Sequence, residues 1–479
     1  MIAVFLAENI YEMRRQSCSS DEVVHLPAGY TYLVKRDFRL NPEHPPLLKD
    51  LCALPLLFLR PRPRVDFSDP NWQQPSVVSQ SVFGFRFLYG DPPRADQYLF
   101  WGRLPIVLLT ACLGFFIFRW AQQLYGNAAG LLALGLYAFS PNVIAHSHFV
   151  TTDMGVTAFL TISFYYLWRF LRDTRTRDLC FAGLCMGAAM ASKYSAVFLF
   201  PVGIFFLWIY SRPSLPLPQE RKKDSSKSKG RRSRDRRGRP ASFDWNAAIP
   251  RGFWRELFHF DRPKLKRVLI FSGLAFVVIQ LSFVGSLNPM LYLRGALQVN
   301  ANHNPFYESF LHGDFKRGGW WNYFLVAFLV KATSPFLLLI FARFIFLFKN
   351  LKKEWWSSMF LVVPSIVMFV AVSALADPLG VRYVLPIFPS MMVFSSGILR
   401  AVQKRALQGC VWGMLGWHIV SSLLAFPYSL SYFNEFVGGP SKGIYWLDDS
   451  NIDWGQELKG VKRYMDLNGI RVITLFSFS

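Results

Sequence analysis

Between Trp101 and Trp120 the chain reads WGRLPIVLLTACLGFFIFRW, and this stretch decides the fold class. It carries only two charges, Arg103 and Arg119, one near each end. About 20 predominantly apolar residues are what a helix needs to cross the hydrocarbon core of a bilayer. Working outward, comparable blocks recur near 126–146, 151–171, 178–193, 195–211, 266–286, 334–348, 357–376, 383–402 and 408–428. The opening MIAVFLA is too short to span, and no small-residue cleavage site follows it as in a signal peptide. It reads as a shortened first transmembrane helix or a start site placed too late, and brings the count to about eleven. The composition agrees. The 479 residues are 52% hydrophobic and 17% charged, against about 25% charged in soluble domains. The predicted fold class is an all-α polytopic membrane protein.

Between these blocks lie mixed segments. Residues 14–100 contain an apolar piece, Leu47 to Leu59, which Lys49, Asp50 and Pro55 interrupt. It suits an interfacial helix better than a span. Trp320 to Val330 reads the same way, broken off by Pro335. The expected division is a transmembrane domain over 1–428 and a short external C-terminal α/β segment over 429–479. Within the domain, 14–100 is the first external loop and 212–265 a basic cytoplasmic loop.

Charge sets the orientation. The chain has 53 Lys+Arg against 30 Asp+Glu, for a formal net charge of +23. Arg169, Arg172, Arg175 and Arg177 follow one block, Lys349, Lys352 and Lys353 another, and Arg400, Lys404 and Arg405 a third. The run RKKDSSKSKGRRSRDRRGR, 221–239, lies between 211 and 266. Counting spans puts all four groups on one side, which the positive-inside rule makes cytoplasmic. The run has no apolar residue and is expected to be disordered. It is also expected to touch anionic lipid. No fold or aromatic platform accompanies it, so nucleic-acid binding is not expected. Six scattered cysteines with no CxxC pair support neither a disulfide framework nor a zinc site.

The chemistry-bearing residues gather at the ends of blocks assigned to the outer face. Ser20-Asp21-Glu22 offers adjacent carboxylates, a base and a partner that orients it; the plainer reading is a helix start. Asn41-Pro42-Glu43-His44-Pro45-Pro46 fixes the backbone before the interfacial helix, where His44 and Lys49 would face lipid phosphates or Lys49 would snorkel. His146-Ser147-His148 precedes Thr151-Thr152-Asp153, where Asp153 is either a cap or a second acid. Lys193 and Arg382-Tyr383 interrupt apolar blocks at the same face. Asp448-Asp449-Ser450-Asn451-Ile452-Asp453-Trp454 has Asx-turn chemistry and one exposed-looking Trp. There is no GxGxxG fingerprint, Walker A run or HExxH, so chemistry driven by a cytoplasmic nucleotide is unsupported; no cofactor is expected, and a divalent metal stays an open alternative with nothing in the sequence to support it.

Several stretches carry a resemblance. They are SSDEVVHLPAGYTYL, DFRLNPEHPPLLKDLCALPLL, FWGRLPIVLL, AFSPNVIAHSHFVTTD, GAAMASKYSAVFLFP, GWWNYFLVAFLVK, GVRYVLPIFP and YFNEFVGGPSKGIYWLDDSNIDWGQELK. Together they resemble the integral-membrane glycosyltransferases of the GT-C fold, near the protein O-mannosyltransferase and lipid A aminoarabinose transferase group. The resemblance implies a GT-C bundle with interfacial helices in its external loops. It also implies a sugar donor on a polyprenyl phosphate and a hydroxyl acceptor on protein, lipid or glycan. The expected place is the outer face of a bacterial plasma membrane. Asp21 and Glu22 match the family's Asp-Glu pair, and Asp153 its second external acid. Glu43 and His44 match a Glu and basic residue before Pro, with His where aminoarabinose transferases have Lys. Tyr383 matches a Tyr facing the donor phosphate. The expected catalytic residues are therefore Asp21, Glu22 and Asp153, with Glu43, His44, Lys193, Arg382 and Tyr383 at the donor phosphate. The rival reading is a transporter or flippase of lipid-linked sugars. Against it stand the absence of an internal repeat and the scarcity of charge in most block interiors.

Overall fold

A computed structural model of the chain describes residues 1–90, 94–209, 261–284, 286, 288–302, 306–349 and 351–475. The basic run 221–239, and with it the expected disorder and lipid contact, lies outside the described residues. The regular secondary structure among them is helical apart from one antiparallel hairpin, β1 (Glu308–Leu311) with β2 (Asp314–Arg317). The helices open with α1 (Ile2–Arg15), α2 (Ser20–Lys35), α3 (Leu47–Ala53), α4 (Pro70–Gln73) and α5 (Val77–Tyr89). Next come α6 (Ala95–Tyr125), α7 (Asn127–Ala138), α8 (Pro141–His146), α9 (Asp153–Asp173), α10 (Thr176–Met190) and α11 (Phe200–Ile209). After the basic run follow α12 (Arg262–Ser282), α13 (Met290–Asn302), α14 (Tyr323–Lys331), α15 (Ser334–Lys349) and α16 (Leu351–Leu375). The chain closes with α17 (Ile387–Ser396), α18 (Ile398–Ala401), α19 (Arg405–Ala425) and α20 (Leu458–Leu467).

Not every one of the roughly eleven expected blocks is a single helix of spanning length among the described residues. Four helices are long and apolar enough to cross a bilayer: Arg94–Tyr125, Asp153–Asp173, Arg262–Ser282 and Ser358–Leu375. The pair α14 and α15, bent by 112°, makes a fifth if read as one broken span. The difference comes from breaks that hydropathy passes over. Ser140-Pro141 splits the 126–146 block, with Pro141 in the first turn of α8. The 195–211 block begins as a 3-10 turn, Tyr194–Leu199, and Gly397 separates α17 from α18. The chain is thus a multi-pass membrane protein in which several apolar blocks are broken rather than straight.

Broken helices free backbone groups that lipid cannot satisfy. At the α14–α15 bend, side chains take that role. Asn434 Nδ2 donates to Leu329 O at 2.6 Å and Ala332 O at 2.8 Å, and Asn142 Nδ2 to Lys331 O at 2.6 Å. Elsewhere helices meet through small residues. Gly183 and Gly187 stand four apart on α10 and face α12. A Cβ on Gly187 would sit 2.5 Å from Ala275 O, and one on Gly183 2.8 Å from Phe271 O. Such spacing lets two backbones approach in lipid, where packing replaces the hydrophobic driving force.

The C-terminal segment differs from the expected α/β tail. Its described residues, 429–475, hold 3-10 turns and α20 but no strand; the hairpin lies at 308–317 instead. Leu430, Phe433, Leu447 and Trp454 are buried, and buried Lys331 of α14 donates to Leu430 O and Asn451 O, each at 2.7 Å. Trp454, read as exposed, is therefore interior.

Candidate active site

Three of the expected residues stand where helices begin or break. Asp21 is in the first turn of α2, behind Ser19, whose backbone N–H donates to Glu22 Oε2 at 2.9 Å. Asp153 opens α9. Lys193 follows α10, at the break before the 3-10 turn at Tyr194. Arg382 and Tyr383 ride on a 3-10 turn, Val381–Val384. Asn451 fixes that turn: its Oδ1 accepts from Val381 N at 2.9 Å, and its Nδ2 donates to Tyr323 Oη at 3.0 Å. Gly380, just before it, has φ +125° and lies against Ser450, so a side chain there meets both strain and a clash.

These elements bring five side chains together. Arg382 Nη1 donates to Asp21 Oδ2 at 2.6 Å, and Lys193 Nζ to Asp153 Oδ1 at 2.5 Å. The Tyr383 ring lies between the pairs, 4.1 Å from Lys193 Nζ and 5.5 Å from the Arg382 guanidinium. The guanidinium also stacks over Trp454 at 4.4 Å. The Asp153 pair is nearly enclosed, with side chains 2% and 10% exposed, whereas Asp21 is 26% exposed. Burial opposes the charge of Arg382, yet Asp21, Tyr383 and Asp153 hold its guanidinium protonated and raise its pKa. Asp449, which accepts from Tyr307 Oη at 3.2 Å, adds a further carboxylate in its field. Burial and Asp449 push Asp448 up to about 6.

Glu22 does not join this group. Arg103 from within α6 clamps it with two parallel bonds, Nε to Oε1 at 2.8 Å and Nη2 to Oε2 at 2.7 Å, both side chains fully buried. Val150 N also donates to Oε1, at 3.0 Å. Arg103 spends its other donors on Met13 O, Gln16 O and Ser17 O. Glu22 therefore aligns α1, α2, α6 and the loop before Asp153. Ser20-Asp21-Glu22 does start a helix, and its two carboxylates turn to different partners, Asp21 to Arg382 and Glu22 to Arg103. Arg103 went unnamed as a site element, although a lone cation inside an apolar span is itself a signal.

The Asn41–Pro46 turn is held from within. Buried Lys49 donates to Tyr32 Oη at 2.9 Å, Asn41 O at 2.8 Å and His44 O at 2.7 Å. It does not snorkel, and burial lowers its pKa to about 7. Glu43 accepts from Asn41 Nδ2 at 3.1 Å. His44 packs edge-on against His25 with ring centroids 5.1 Å apart. Burial, then the positive field of His25, Lys193, Lys49 and Arg382, pushes its pKa well below the usual 6.5, so it is a neutral ring at pH 7. Beside it opens a cleft of about 610 Å³, reached by Tyr194 and rimmed by Lys35, Arg36, Arg39 and Arg294. Those four cations were not singled out from the sequence, because isolated basic residues in loops look like topology markers. Among the described residues no group of three or more His, Cys, Asp and Glu is arranged to hold a metal.

Comparison with known proteins places the fold. Residues 96–217 match the family described as dolichyl-phosphate-mannose-protein mannosyltransferase. The structure is similar to that of ArnT from Cupriavidus metallidurans in the apo state, with a TM-score of 0.52 and 14% identity over 89% of this chain and 64% of that one. The structure of the same protein bound to undecaprenyl phosphate gives 0.49 and 14%, with the same coverage. Archaeal oligosaccharyltransferase AglB from Archaeoglobus fulgidus, in complex with an inhibitory peptide and a dolichol-phosphate, gives 0.46 and 12% over 100% of this chain and 61% of that one. The chain thus spans somewhat under two thirds of the length of each. No curated protein sequence matches it. The helical GT-C membrane fold expected from the sequence is the fold observed.

Proposed function

We propose that the chain is a membrane glycosyltransferase that moves a sugar from a polyprenyl-phosphate donor to a hydroxyl acceptor at the outer face of a bacterial plasma membrane. The observation that carries this reading is the double ion pair, Asp21 with Arg382 and Asp153 with Lys193, closed around Tyr383. The match over residues 96–217 and the shared fold support it.

Cleavage of a glycosyl C1–O bond passes through an oxocarbenium-like state. Negative charge grows on the departing phosphate oxygen, so fixed cations beside it stabilise the transition state more than the ground state. Lys193 and Arg382 are those cations here, and Tyr383 is the neutral donor between them. A phosphate that draws Arg382 toward itself loosens the bond to Asp21. That carboxylate, the more exposed of the two, then accepts the proton of the attacking hydroxyl. Such general-base assistance is worth about 10²–10⁴-fold. Asp153, enclosed with Lys193, orients the reactive sugar or the acceptor. Glu22 acts through position, by fixing the helix that carries Asp21. Neutral His44 donates or accepts a hydrogen bond at the mouth of the basic cleft, through which the anionic donor head enters. A single displacement inverts the anomeric centre.

Mass spectrometry of envelope glycans from cells with and without the chain tests the reading. The expected result is loss of one sugar modification, restored by the wild-type chain but not by Asp21→Asn. An unchanged glycan profile would exclude the activity. Release of free polyprenyl phosphate from a purified sugar donor separates transfer from translocation, because a flippase leaves the donor intact.

A further inference from the structure

Helix α5 turns two different faces outward and inward. Gln80, Phe83, Gly84 and Phe87 are buried. Val78, Val82, Phe85 and Tyr89 are exposed, Val78 at 73% and Phe85 at 54%. Their spacing, i, i+4, i+7 and i+11, puts them on one stripe of the helix. In a chain that lives in a bilayer, such a stripe suits the boundary between headgroups and acyl chains. Beside the stripe lies a cleft of about 730 Å³, apart from the ion pairs around Tyr383, and four arginines line it: Arg62, Arg64, Arg86 and Arg94.

The acids of this cleft are already engaged. Asp69 accepts from Arg86 Nη1 at 2.6 Å and from Asn71 N at 2.9 Å. Asp66 accepts from Ser68 N at 2.9 Å and Ser68 Oγ at 2.6 Å. Arg62 and Arg64 are exposed and have no ion pair among the described residues. They are nevertheless placed. Pro63 between them is buried, and its carbonyl accepts from Tyr30 Oη at 3.2 Å. Val65 packs on the cluster of Tyr32, Trp72 and Phe83. Burial alternates along this segment, so anchoring Pro63 and Val65 inward leaves Arg62 and Arg64 both on the open side.

We infer that this cleft is a binding site for the phosphate of an anionic phospholipid, with Arg62 and Arg64 as its two ligands and the α5 stripe lying among the lipid chains. Two uncommitted guanidiniums on one side of a cleft match a phosphate oxygen pair in charge and geometry. The adjoining apolar stripe favours a headgroup that arrives with its lipid over a free anion.

Native mass spectrometry of the purified full chain, with dioleoyl phosphatidylglycerol or dioleoyl phosphatidylcholine added, reads this site directly. Wild type is expected to retain phosphatidylglycerol about tenfold or more over phosphatidylcholine. Arg62→Gln/Arg64→Gln is expected to lose one retained phosphatidylglycerol at unchanged melting temperature. Arg62→Lys/Arg64→Lys, which keeps the charge and guards against a folding defect, is expected to keep the preference in large part. The 221–239 run is present in all three proteins, so their differences report the cleft. Equal retention of phosphatidylglycerol by wild type and the Gln variant would overturn the site. Displacement of that lipid by millimolar inorganic phosphate would overturn the assignment to a lipid headgroup.

Discussion

Arg382 Nη1 and Asp21 Oδ2 lie 2.6 Å apart although 361 residues separate them in the chain. The bond fastens the first turn of α2 to the turn that precedes α17, and it couples a cation to the carboxylate proposed as the base. Whatever occupies Arg382 alters Asp21.

Arg382→Lys is therefore expected to be a poor replacement. Lys keeps the charge but loses the planar stack on Trp454 and the second face toward Tyr383. Turnover should fall by about 10-fold or more, with donor KM raised, and Arg382→Gln should fall further, by about 10²-fold. Steady-state kinetics with a polyprenyl-phosphate sugar checks both; equal kinetics for Lys and Arg would remove the guanidinium from the mechanism.

The enclosed pair Asp153–Lys193 separates stability from chemistry. Lys193→Met strands a buried carboxylate, and breaking a buried pair costs about 3–5 kcal/mol. Asp153→Asn/Lys193→Met removes both charges and should recover most of that stability while remaining inactive. Thermal unfolding in detergent, run beside the activity assay, decides it. A double variant as unstable as the single one would mean the pair is not coupled as described.

Glu22→Gln should behave as a folding variant. The carboxylate accepts from Arg103, Ser19 and Val150 and is fully buried. Loss of its charge leaves Arg103 unpaired and costs about 3–5 kcal/mol. Folded yield should drop sharply, with little change in turnover per folded molecule. A variant that folds normally but is dead would restore Glu22 to the chemistry.

What the sequence made legible is the chemistry of single positions. Apolar blocks announced the membrane, and Lys193 and Arg382 stood out as charges between them. Nothing in the spacing could show that Asp21, Asp153, Lys193 and Arg382 meet, because four separate elements bring them together. Asp21 and Glu22 are neighbours with opposite fates, since one helical step of about 100° turns Glu22 toward Arg103 and Asp21 toward Arg382. The blocks over 126–146 and 195–211 are interrupted in the structure, at Ser140-Pro141 and by the 3-10 turn Tyr194–Leu199, and hydropathy does not show this because it averages over a break. Trp454 looked exposed because its cover, Arg382, His146 and Phe149, is contributed by distant segments.

His44 gives the pH dependence a sign. Its folded pKa is pushed below 6.5 by burial and neighbouring cations, so below pH 6.5 the unfolded chain binds the proton more readily. Stability is then full above about pH 6.5 and falls as pH drops toward the folded value. The slope is at most about 1.4 kcal/mol per pH unit for one proton. His25 is shifted the same way, chiefly by burial, and adds to the slope. Melting temperatures of wild type and His44→Gln from pH 7.5 to 5 should show a shallower decline in the variant. Parallel curves would mean that His44 takes up its proton without resistance.

The most direct measurement is sugar transfer by purified Asp21→Asn from a polyprenyl-phosphate donor to acceptors in native membranes. Asn preserves the size of the side chain and keeps an oxygen that accepts from Arg382, and Ser19 rather than Asp21 caps α2, so the variant should fold and still bind donor. It cannot accept the acceptor proton, and transfer should fall by about 10²-fold or more. Wild-type turnover by Asp21→Asn would contradict the assignment of the base and, with it, the proposed reading of the two ion pairs around Tyr383.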